Sequence, residues 1–543
     1  MVARKKITVD PVSGIPMILE GRIVTMGTDG VITRGRLYVK DSTIQGVLPA
    51  DAPAPAGFQS VAVTVTSGTL YPGLIELHNH LSYNALPMWN VPKRYTNRDQ
   101  WSGIAEYRAR VSGPMKIIGE TPALLPALVR YVEMKCLVAG VTTSQGIALF
   151  SNAGVQRYYR GIVRNVEATD EAVLPEAETR IADIDARTAK TFLERLKRES
   201  CFLLHLAEGV DVTARRHFLA LYIAGNDWAI RPQLAGIHAA GLTTEDFAIY
   251  GAHGGAMVWS PLSNLLLYGD TAKVAAAKAA GVRIGLGSDW SPSRSKNLLG
   301  ELKIAKLVAA QIGAFSSQEI VAMATQQAAN ILQWDAILGS VVVGKRADIT
   351  IVGGVGGDPY DHLIDASETD ISLVVINGVP RFGTKELFDA LGMTGESLKV
   401  GGATRRVFLT QDTQDPAVGK LSYSAASAQL TDALLRLKFL AKTLEKPSSI
   451  HALRAARRQE LTQPVWRLVL DEIQPTGQAL RARLPFGHSH VSGALAQMGA
   501  GAEPLSTIVE PINTDPLTVA DDPAFVSRLR AQRNLPNWLK TAL

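Results

Sequence analysis

The feature that most constrains the fold is an apolar strand that ends in two histidines. The sequence YPGLIELHNH runs from Tyr71 to His80, and its Pro-Gly pair interrupts the chain just before the apolar run. Because alternate residues of a strand share a face, His78 and His80 would present two imidazoles to one point, as in a metal site. The same spacing recurs at 488–490 in a turn-like context, where a solvated loop is the favoured interpretation.

Three further apolar segments end on residues that could bind a metal or transfer protons. CFLLHLAEG carries His205 and, three residues later, Glu208; LAGIH ends on His238; and VRIGLGSDW reaches Asp289. Each has an ordinary explanation when taken alone, either a core histidine or, for the aspartate, a helix N-cap. In a parallel barrel, however, the carboxyl ends of strands gather on one face, where active sites form. Four such strand ends in chain order therefore indicate a common site.

The central part of the chain predicts a parallel barrel. Between about residues 71 and 335, apolar strands alternate with helical patterns, which is typical of repeated β-α units. The length suits eight units, but only seven strands can be placed. The candidate strands are 74–78, 141–145, 161–166, 201–205, 233–238, 256–260 and 282–289.

The flanking regions predict a second, composite domain. Short β-rich runs occupy residues 18–70 and return at 344–352 and 374–378, the last ending in an Asn-Gly hairpin turn. We therefore expect an α/β protein: a distorted (β/α)8 TIM barrel with a flanking β-sandwich built from both chain ends, plus a helical C-terminal extension. The expected domains are 1–70 with 340–388 for the sandwich, 71–339 for the barrel, and 389–543 for a helical or extended tail.

Composition limits the class of protein. Of 543 residues, 46% are hydrophobic and 20% charged, as in globular proteins, and the net charge of +6 is scattered, which argues against nucleic-acid binding. No uncharged apolar stretch is long enough to span a membrane. Cys136 and Cys201 lie in apolar surroundings and are interpreted as reduced thiols. We expect a cytoplasmic homo-oligomer that acts on a small molecule.

The clustered histidines and aspartate predict metal-assisted hydrolysis. Imidazole nitrogens with one carboxylate suit zinc most, with iron or manganese as alternatives, and one coordination position would hold water. A metal lowers the pKa of that water and so yields hydroxide. Asp289 could accept the proton that the water releases. Glu208 could pass a proton to the substrate, which leaves His238 to polarise the leaving group.

These motifs together resemble the amidohydrolase superfamily, in its cytosine deaminase and chlorohydrolase-like branch. The resemblance covers about residues 18–385. It rests on Pro72-Gly with His78-Asn-His80, Gly140-Val-Thr-Thr, His205-Leu-Ala-Glu208, His238, Ser260-Pro-Leu-Ser-Asn264, Gly287-Ser-Asp289 and Gly344-Lys-Arg-Ala-Asp348. It implies a distorted barrel with a flanking β-sandwich, and hydrolysis of carbon–nitrogen bonds in ring amidines or amides.

The resemblance also implies a role for each site residue. His78, His80, His205 and Asp289 match the ligands of the branch that binds one divalent metal. Glu208 resembles its proton shuttle, and His238 resembles the histidine that orients water and substrate.

The substrate-binding residues are expected where the chain departs from the pattern. Many relatives have a His-Cys pair where this chain has Trp259-Ser260, and the connection from 81 to 119 is unusually long. The aromatic residues of that connection could form a substrate platform or could simply be packing. We expect substrate contacts from Tyr83, Trp89, Trp259, Asn264 and Trp290.

The predicted function is that of a metal-dependent amidohydrolase. A metal-bound hydroxide would attack a ring carbon of a heterocyclic amidine or amide, in a deaminase-like reaction on a non-peptide C–N bond. One alternative is an amidase or peptidase that cleaves an acyl amide. Another is a catalytically silent scaffold.

Overall fold

The computed structural model describes residues 15–151, 155–169, 171–411, 420–446, 465–470 and 503–543, so that the His-x-His pair at 488–490 lies outside the described residues. The strands, in chain order, are β1 (Met17–Val24), β2 (Val31–Lys40), β3 (Thr43–Pro49), β4 (Val63–Pro72), β5 (Leu74–Glu76), β6 (Val141–Ser144), β7 (Ala148–Ser151), β8 (Gln156–Tyr158), β9 (Arg164–Asn165), β10 (Glu178–Arg180), β11 (Phe202–Leu206), β12 (Tyr222–Ala224), β13 (Asp227–Trp228), β14 (Leu234–His238), β15 (Ala256–Trp259), β16 (Arg283–Leu286), β17 (Ile349–Gly353), β18 (Ile371–Ile376), β19 (Val379–Thr384), β20 (Glu396–Val400), β21 (Ala403–Val407) and β22 (Trp466–Leu468).

Helices connect and follow these strands. They are α1 (Ala105–Tyr107), α2 (Gly113–Gly119), α3 (Leu125–Val138), α4 (Lys190–Arg195), α5 (Val212–Leu219), α6 (Thr244–Ala252), α7 (Pro261–Tyr268), α8 (Val274–Ala279), α9 (Leu298–Ile312), α10 (Ser317–Met323), α11 (Gln326–Leu332), α12 (Pro359–Asp365), α13 (Lys385–Ala390), α14 (Tyr423–Leu435), α15 (Leu437–Glu445), α16 (Leu505–Ile508), α17 (Phe525–Ala531) and α18 (Asn537–Ala542). Short 3-10 turns occupy Leu81–Ala85, Arg98–Gln100, Pro122–Leu124 and Ser291–Ser293, and a π turn occupies Arg108–Ser112. None of the described helices has the length and apolarity needed to cross a bilayer.

Strands from both ends of the chain pair in one large sheet. Its nine strands lie in the order β20-β21-β19-β18-β17-β4-β1-β2-β3. Antiparallel pairing of Ile349 with Pro72 joins strands from the two ends of the described chain. The sheet continues to Val407, beyond the boundary at 388 expected from the sequence, while the two-layer sandwich stays a prediction.

The hairpin between β18 and β19 follows from its two turn residues. Asn377 and Gly378 have φ angles of 51° and 75°, and Ile376 pairs with Val379 across the turn. Asparagine and glycine tolerate this left-handed backbone, which matches the twist of a two-residue hairpin. The predicted Asn-Gly turn is therefore confirmed.

The centre of the described chain contains eight parallel strands in two sheets. The first sheet has the order β5-β6-β9, and the second has β10-β11-β14-β15-β16. Backbone hydrogen bonds join the sheets at both sides, from Ala177 N to Val166 O at 2.8 Å and from Leu77 N to Leu286 O at 3.3 Å. The fold is therefore an α/β fold like a TIM barrel. The strand that the sequence did not reveal is β10, which has only three partly exposed residues.

The segment 503–543, here called the C-terminal segment, packs against the barrel and against its first β-α connection, residues 81–119. The side chain of Lys296 bonds Asp515 at 2.8 Å and Asp522 at 2.7 Å, and Lys135 also bonds Asp515. Gln532 bonds the backbone oxygen of Trp89 at 3.2 Å. The described part of the tail thus supports the connection that borders the site, although the tail as a separate unit stays a prediction.

Candidate metal centre and active site

The predicted polar residues all lie at the carboxyl ends of parallel strands. His78 and His80 follow β5, His205 is in β11, His238 ends β14, and Asp289 follows β16. The backbone turns sharply at two of these positions, where φ is 69° at His238 and 70° at Asp289. A left-handed conformation costs a non-glycine residue roughly 1–2 kcal/mol. Such strain typically persists where surrounding structure holds a functional side chain in place.

Four donor atoms of these residues lie close to one another. Nε2 of His78 is 3.2 Å from Nε2 of His205 and 3.3 Å from Nε2 of His80. Oδ1 of Asp289 is 3.4 Å from the Nε2 atoms of both His78 and His80. Ligands about 2.0–2.1 Å from a central ion in a tetrahedron stand about 3.3 Å apart. The chemistry of the donor set therefore fits a divalent metal, and these four separations match tetrahedral spacing, while the donor atom of His205 groups with those of His78 and His238.

Neighbouring hydroxyls hold the remaining polar atoms of two of these side chains. Nδ1 of His78 lies 2.8 Å from the Ser260 hydroxyl, and Ser263 donates a 2.6 Å hydrogen bond to Oδ2 of Asp289. Such partners fix the orientation of a ligand and leave its other atom for the metal. The strands also approach closely, since a Cβ on Gly287 would lie 2.4 Å from that of His78.

Burial determines the protonation of this cluster. Burial, and then the charge of the neighbouring imidazoles, lowers the pKa of His78 and His205 well below the usual value. Burial also raises the pKa of Asp289. The histidines are thus favoured in the neutral form, whose lone pair can bind a metal.

Glu208 and His238 form a second group beside these donors. Oε2 of Glu208 lies 3.8 Å from Nε2 of His238 and 4.0 Å from the guanidinium of Arg98. The hydroxyl of Tyr268 donates a 2.8 Å hydrogen bond to Oε1 of Glu208, and the indole of Trp101 donates to the Tyr268 oxygen at 3.0 Å. One carboxylate oxygen is therefore fixed by the protein, and the other faces the histidine.

A hydrogen-bonded chain lies behind His238. Nδ2 of Asn264 is 3.1 Å from Nδ1 of His238. Oδ1 of Asn264 lies 3.4 Å from the hydroxyl of Thr271, which in turn accepts a 2.8 Å hydrogen bond from the indole of Trp259. Asn264 and Trp259 are fully buried, so the chain belongs to the packed interior of the barrel.

A cavity with about 490 Å³ of empty space opens onto both groups. It is lined by His80, Trp101, Ser102, Tyr107, Ile181, His205, Glu208, His238, Asp289 and Trp290. The ring of Trp101 lies 5.3 Å from that of Tyr107 and 5.8 Å from that of Trp290, which gives one side of the cavity an aromatic wall. The indole N–H groups of both tryptophans bond residues behind this wall, so the wall presents mainly carbon to the cavity.

The five residues predicted to contact substrate have different positions. Trp290 lines the cavity. Tyr83 and Trp89 lie behind the wall, where Tyr83 packs edge-on against Trp290 with centroids 5.2 Å apart. Trp259 and Asn264 contribute to the chain behind His238. A direct role for each in substrate binding stays a prediction.

Several residues at the site were not identified from the sequence. They are Trp101, Ser102, Tyr107, Ile181 and Tyr268. The unusual length and aromatic content of residues 81–119 were the available signal, and they do not distinguish wall residues from packing.

Comparisons with known proteins agree with this arrangement. Residues 176–380 match the family model described as Amidohydrolase family. The chain is 23% identical over 397 residues to 5-methylthioadenosine/S-adenosylhomocysteine deaminase of Moorella thermoacetica, an alignment that covers 64% of this chain and 90% of that protein. It is 31% identical over 121 residues to the protein of the same name in Symbiobacterium thermophilum, covering 21% of this chain and 28% of that one.

Solved structures show the same fold. An adenosine deaminase from Xanthomonas campestris with bound zinc aligns with a TM-score of 0.50 and 17% identity, covering 79% of this chain and 100% of that one. A mutant of atrazine chlorohydrolase from Arthrobacter aurescens, complexed with zinc and atraton, aligns with a TM-score of 0.50 and 18% identity, covering 67% and 94%.

The barrel-like fold and its cluster of histidines and aspartate define a metal-dependent hydrolase. More particularly, residues 176–380 match the amidohydrolase family, and the chain as a whole is similar to deaminases and to a chlorohydrolase. A divalent metal ion fits both this family and the donor set.

Proposed function

We propose that this protein removes an amine, or a similar leaving group, from a ring carbon of a heterocyclic amidine or amide by hydrolysis. One observation carries the proposal. Four metal-type donors have neighbouring separations of 3.2–3.4 Å, and three of them, His80, His205 and Asp289, line a cavity together with Glu208 and His238. An acyl-amide hydrolase and an inactive scaffold are the alternatives that the experiment below must separate.

His78, His80, His205 and Asp289 would hold the metal. We favour zinc, because histidine nitrogens with one carboxylate suit it and because the structural neighbour from Xanthomonas campestris contains it; iron and manganese are alternatives. When bound, a divalent metal supplies a Lewis acid that lowers the pKa of water, and so provides a nucleophile at neutral pH.

Glu208 would move the proton. Tyr268 holds Oε1 of this carboxylate, which leaves Oε2 to take a proton from the attacking water and deliver it to the departing amine. Asp289, whose Oδ1 faces the histidine cluster, would accept the other proton of that water and return it to the departing amine, so that each carboxylate handles one of the two protons. His238, which borders the same cavity, would orient the atom that bears the developing charge.

The cavity wall suggests a flat substrate. Trp101, Tyr107 and Trp290 offer an apolar surface on which a heterocyclic ring can pack, opposite the polar group that performs the chemistry. The Moorella relative is named as a deaminase of 5-methylthioadenosine and S-adenosylhomocysteine, so aminopurine nucleosides are the first compounds to test.

The test is ammonia release by zinc-loaded protein. The panel would contain 5-methylthioadenosine, S-adenosylhomocysteine, adenosine, a free aminopurine, an aminotriazine and an N-acyl amino acid. Ammonia from an aminoheterocycle that is lost in Glu208→Gln at unchanged zinc content would support the proposal. A free carboxylate from the acyl amide would indicate the amidase alternative, and inactivity on every compound with zinc bound would favour the scaffold.

We also propose boundaries for the domains of the chain. The chain would comprise a complete distorted (β/α)8 barrel over residues 71–339, a composite β-sandwich from 1–70 and 340–388, and a C-terminal extension over 389–543. We further propose a homo-oligomer located in the cytoplasm. Sedimentation of the purified protein and fractionation of its host cells would test these two assignments.

A further inference from the structure

The chain of hydrogen bonds behind His238 has a direction. It begins at Nε1 of Trp259, which lies 2.8 Å from Oγ1 of Thr271. Thr271 is 3.4 Å from Oδ1 of Asn264, and Nδ2 of Asn264 is 3.1 Å from Nδ1 of His238. The indole is a donor only, because its nitrogen has no lone pair available to accept a hydrogen bond.

That first donor favours one direction for the groups after it. Since the Thr271 oxygen accepts from Trp259, its own hydrogen is free to bond the carbonyl oxygen of Asn264. The amide N–H of Asn264 then points at Nδ1 of His238, which must accept. Reversing the amide would direct a second donor at the Thr271 oxygen and remove the carbonyl acceptor from its hydroxyl.

We infer that Trp259 and Thr271 are positioning residues that favour, for the uncharged form of the His238 ring, the tautomer with its hydrogen on Nε2. A neutral imidazole carries one hydrogen, so an Nδ1 that accepts requires a protonated Nε2. Trp259 stands at a position that the sequence had marked as a departure from the family pattern. The large indole thus acts through two intermediate side chains on a residue of the site.

In this tautomer, His238 cannot bind a metal through Nε2, unlike the proposed metal ligands. Ligand atoms of His78, His205 and His238 all lie within 4.8 Å of one another, which alone would permit a three-histidine site. A protonated Nε2 has no lone pair for a metal. His78 differs, because its Nδ1 faces the Ser260 hydroxyl at 2.8 Å, an oxygen that can accept a hydrogen and leave Nε2 unprotonated.

The catalytic consequence rests on the proposed function, whereas the tautomer itself does not. The nearest carboxylate oxygen, Oε2 of Glu208, is 3.8 Å from Nε2 of His238, too far for a hydrogen bond. The Nε2–H group is therefore available to donate into the cavity. It would recognise a substrate atom with a lone pair, such as a ring nitrogen or an oxygen next to the attacked carbon.

The test is ¹⁵N NMR of the zinc-loaded, full-length protein labelled at histidine. His238→Gln serves only to identify the signals of His238. We expect a shift typical of an unprotonated nitrogen for Nδ1 and of a protonated, metal-free nitrogen for Nε2. A protonated Nδ1, or an Nε2 with the shift of a metal-bound nitrogen, would overturn the inference.

Variants distinguish the effect of the hydrogen-bonded chain from Trp259 to His238 from the effect of general packing. Asn264→Asp should reverse the pattern, because a carboxylate only accepts and would recruit a hydrogen to Nδ1. Thr271→Val and Trp259→Phe should lower the Nε2–H population, while Thr271→Ser should restore it. Trp334→Phe removes another buried indole donor, bonded to the Pro175 oxygen at 3.0 Å, and should leave the His238 signals unchanged.

Unaltered His238 signals in folded Thr271→Val and folded Trp259→Phe would overturn the role of Trp259 and Thr271. Zinc content and thermal unfolding would identify a variant that has lost its fold. Thr271→Ser retains the hydroxyl and should fold even if valine does not. A failure to find a substrate would concern the proposed function, since these spectra require none.

Discussion

The hydroxyl of Tyr268 donates a hydrogen bond to Oε1 of Glu208 at 2.8 Å, within a site where both side chains are buried. Burial, and then the charge of Glu208, raises the pKa of Tyr268 well above its usual value. The tyrosine therefore keeps its hydroxyl hydrogen at neutral pH and remains a hydrogen-bond donor there. It divides the two carboxylate oxygens into one that is held and one that is free to exchange protons.

Tyr268→Phe is expected to slow turnover without removing the metal. A hydrogen bond to a charged group contributes about 1.5–3 kcal/mol, which corresponds to a decrease in kcat of roughly 10- to 150-fold. The measurement is steady-state kinetics on the substrate found by ammonia release, together with zinc content. Unchanged kcat in the folded, zinc-containing variant would mean that the tyrosine is only packing.

Metal retention should distinguish the proposed ligands from their neighbours. We expect about one zinc per chain in the wild-type protein, a large loss in Asp289→Ala, and retention in Glu208→Gln and His238→Gln. The reason is that His78, His80, His205 and Asp289 are the proposed ligands, and His78 lies within 3.2–3.4 Å of the other three donor atoms. Elemental analysis of protein purified without chelator measures this, and two metals per chain would contradict the assignment.

Asp515→Asn is expected to destabilise the fold by about 3–5 kcal/mol, because it leaves Lys135 and Lys296 buried beside only one remaining carboxylate. Burial lowers the pKa of Lys135 to about 7, which reflects how unfavourable an uncompensated ammonium is there. Urea unfolding at neutral pH measures the change.

The matched control is Glu510→Gln in the same segment. Glu510 pairs with Lys438 at 2.7 Å on the exposed surface, where such pairs contribute about 0–1 kcal/mol. Equal losses in the two variants would contradict a special role for the buried cluster.

Glu301 should make stability fall as the pH rises. Burial raises its pKa from 4.5 to about 8, although Ser295 and the backbone N–H of Leu262 donate to it. Between these values the folded state binds a proton that the unfolded state has lost, so the free energy of unfolding decreases from pH 4.5 to 8. Glu301→Gln should flatten this part of the profile and be relatively more stable at pH 8. Denaturant unfolding across this range checks the slope, and parallel profiles for the two proteins would refute it.

Much of the site could be predicted because chemistry and hydrophobic pattern coincide at the strand ends. His205 is the fourth residue of one five-residue strand and His238 the last of another, and both strands are buried throughout, so the apolar run and the polar residue were both visible in the sequence. β10 lacked that signal, since Glu-Thr-Arg has neither an apolar run nor alternation. Its place is set by pairing with β11, which is a tertiary effect.

The supporting residues could not be predicted for a different reason. Tyr268 is the last residue of a buried helix, and nothing local distinguishes its hydroxyl from that of any other core tyrosine. Its function depends on Glu208, 60 positions earlier in the chain. Trp259 was expected to contact the substrate, which stays a prediction; what the sequence could not indicate is that its indole N–H bonds Thr271, behind the site.

The nine-stranded sheet has a consequence for folding during synthesis on the ribosome. β4 ends at Pro72, and its antiparallel partner β17 begins only at Ile349. At about 5–20 residues per second, the first four strands emerge roughly 14 to 55 s before the strand that completes their sheet. During that interval β4 has an unpaired edge, which is a template for association with other chains. The nascent chain is therefore open to edge-to-edge association at β4 until β17 has been synthesised.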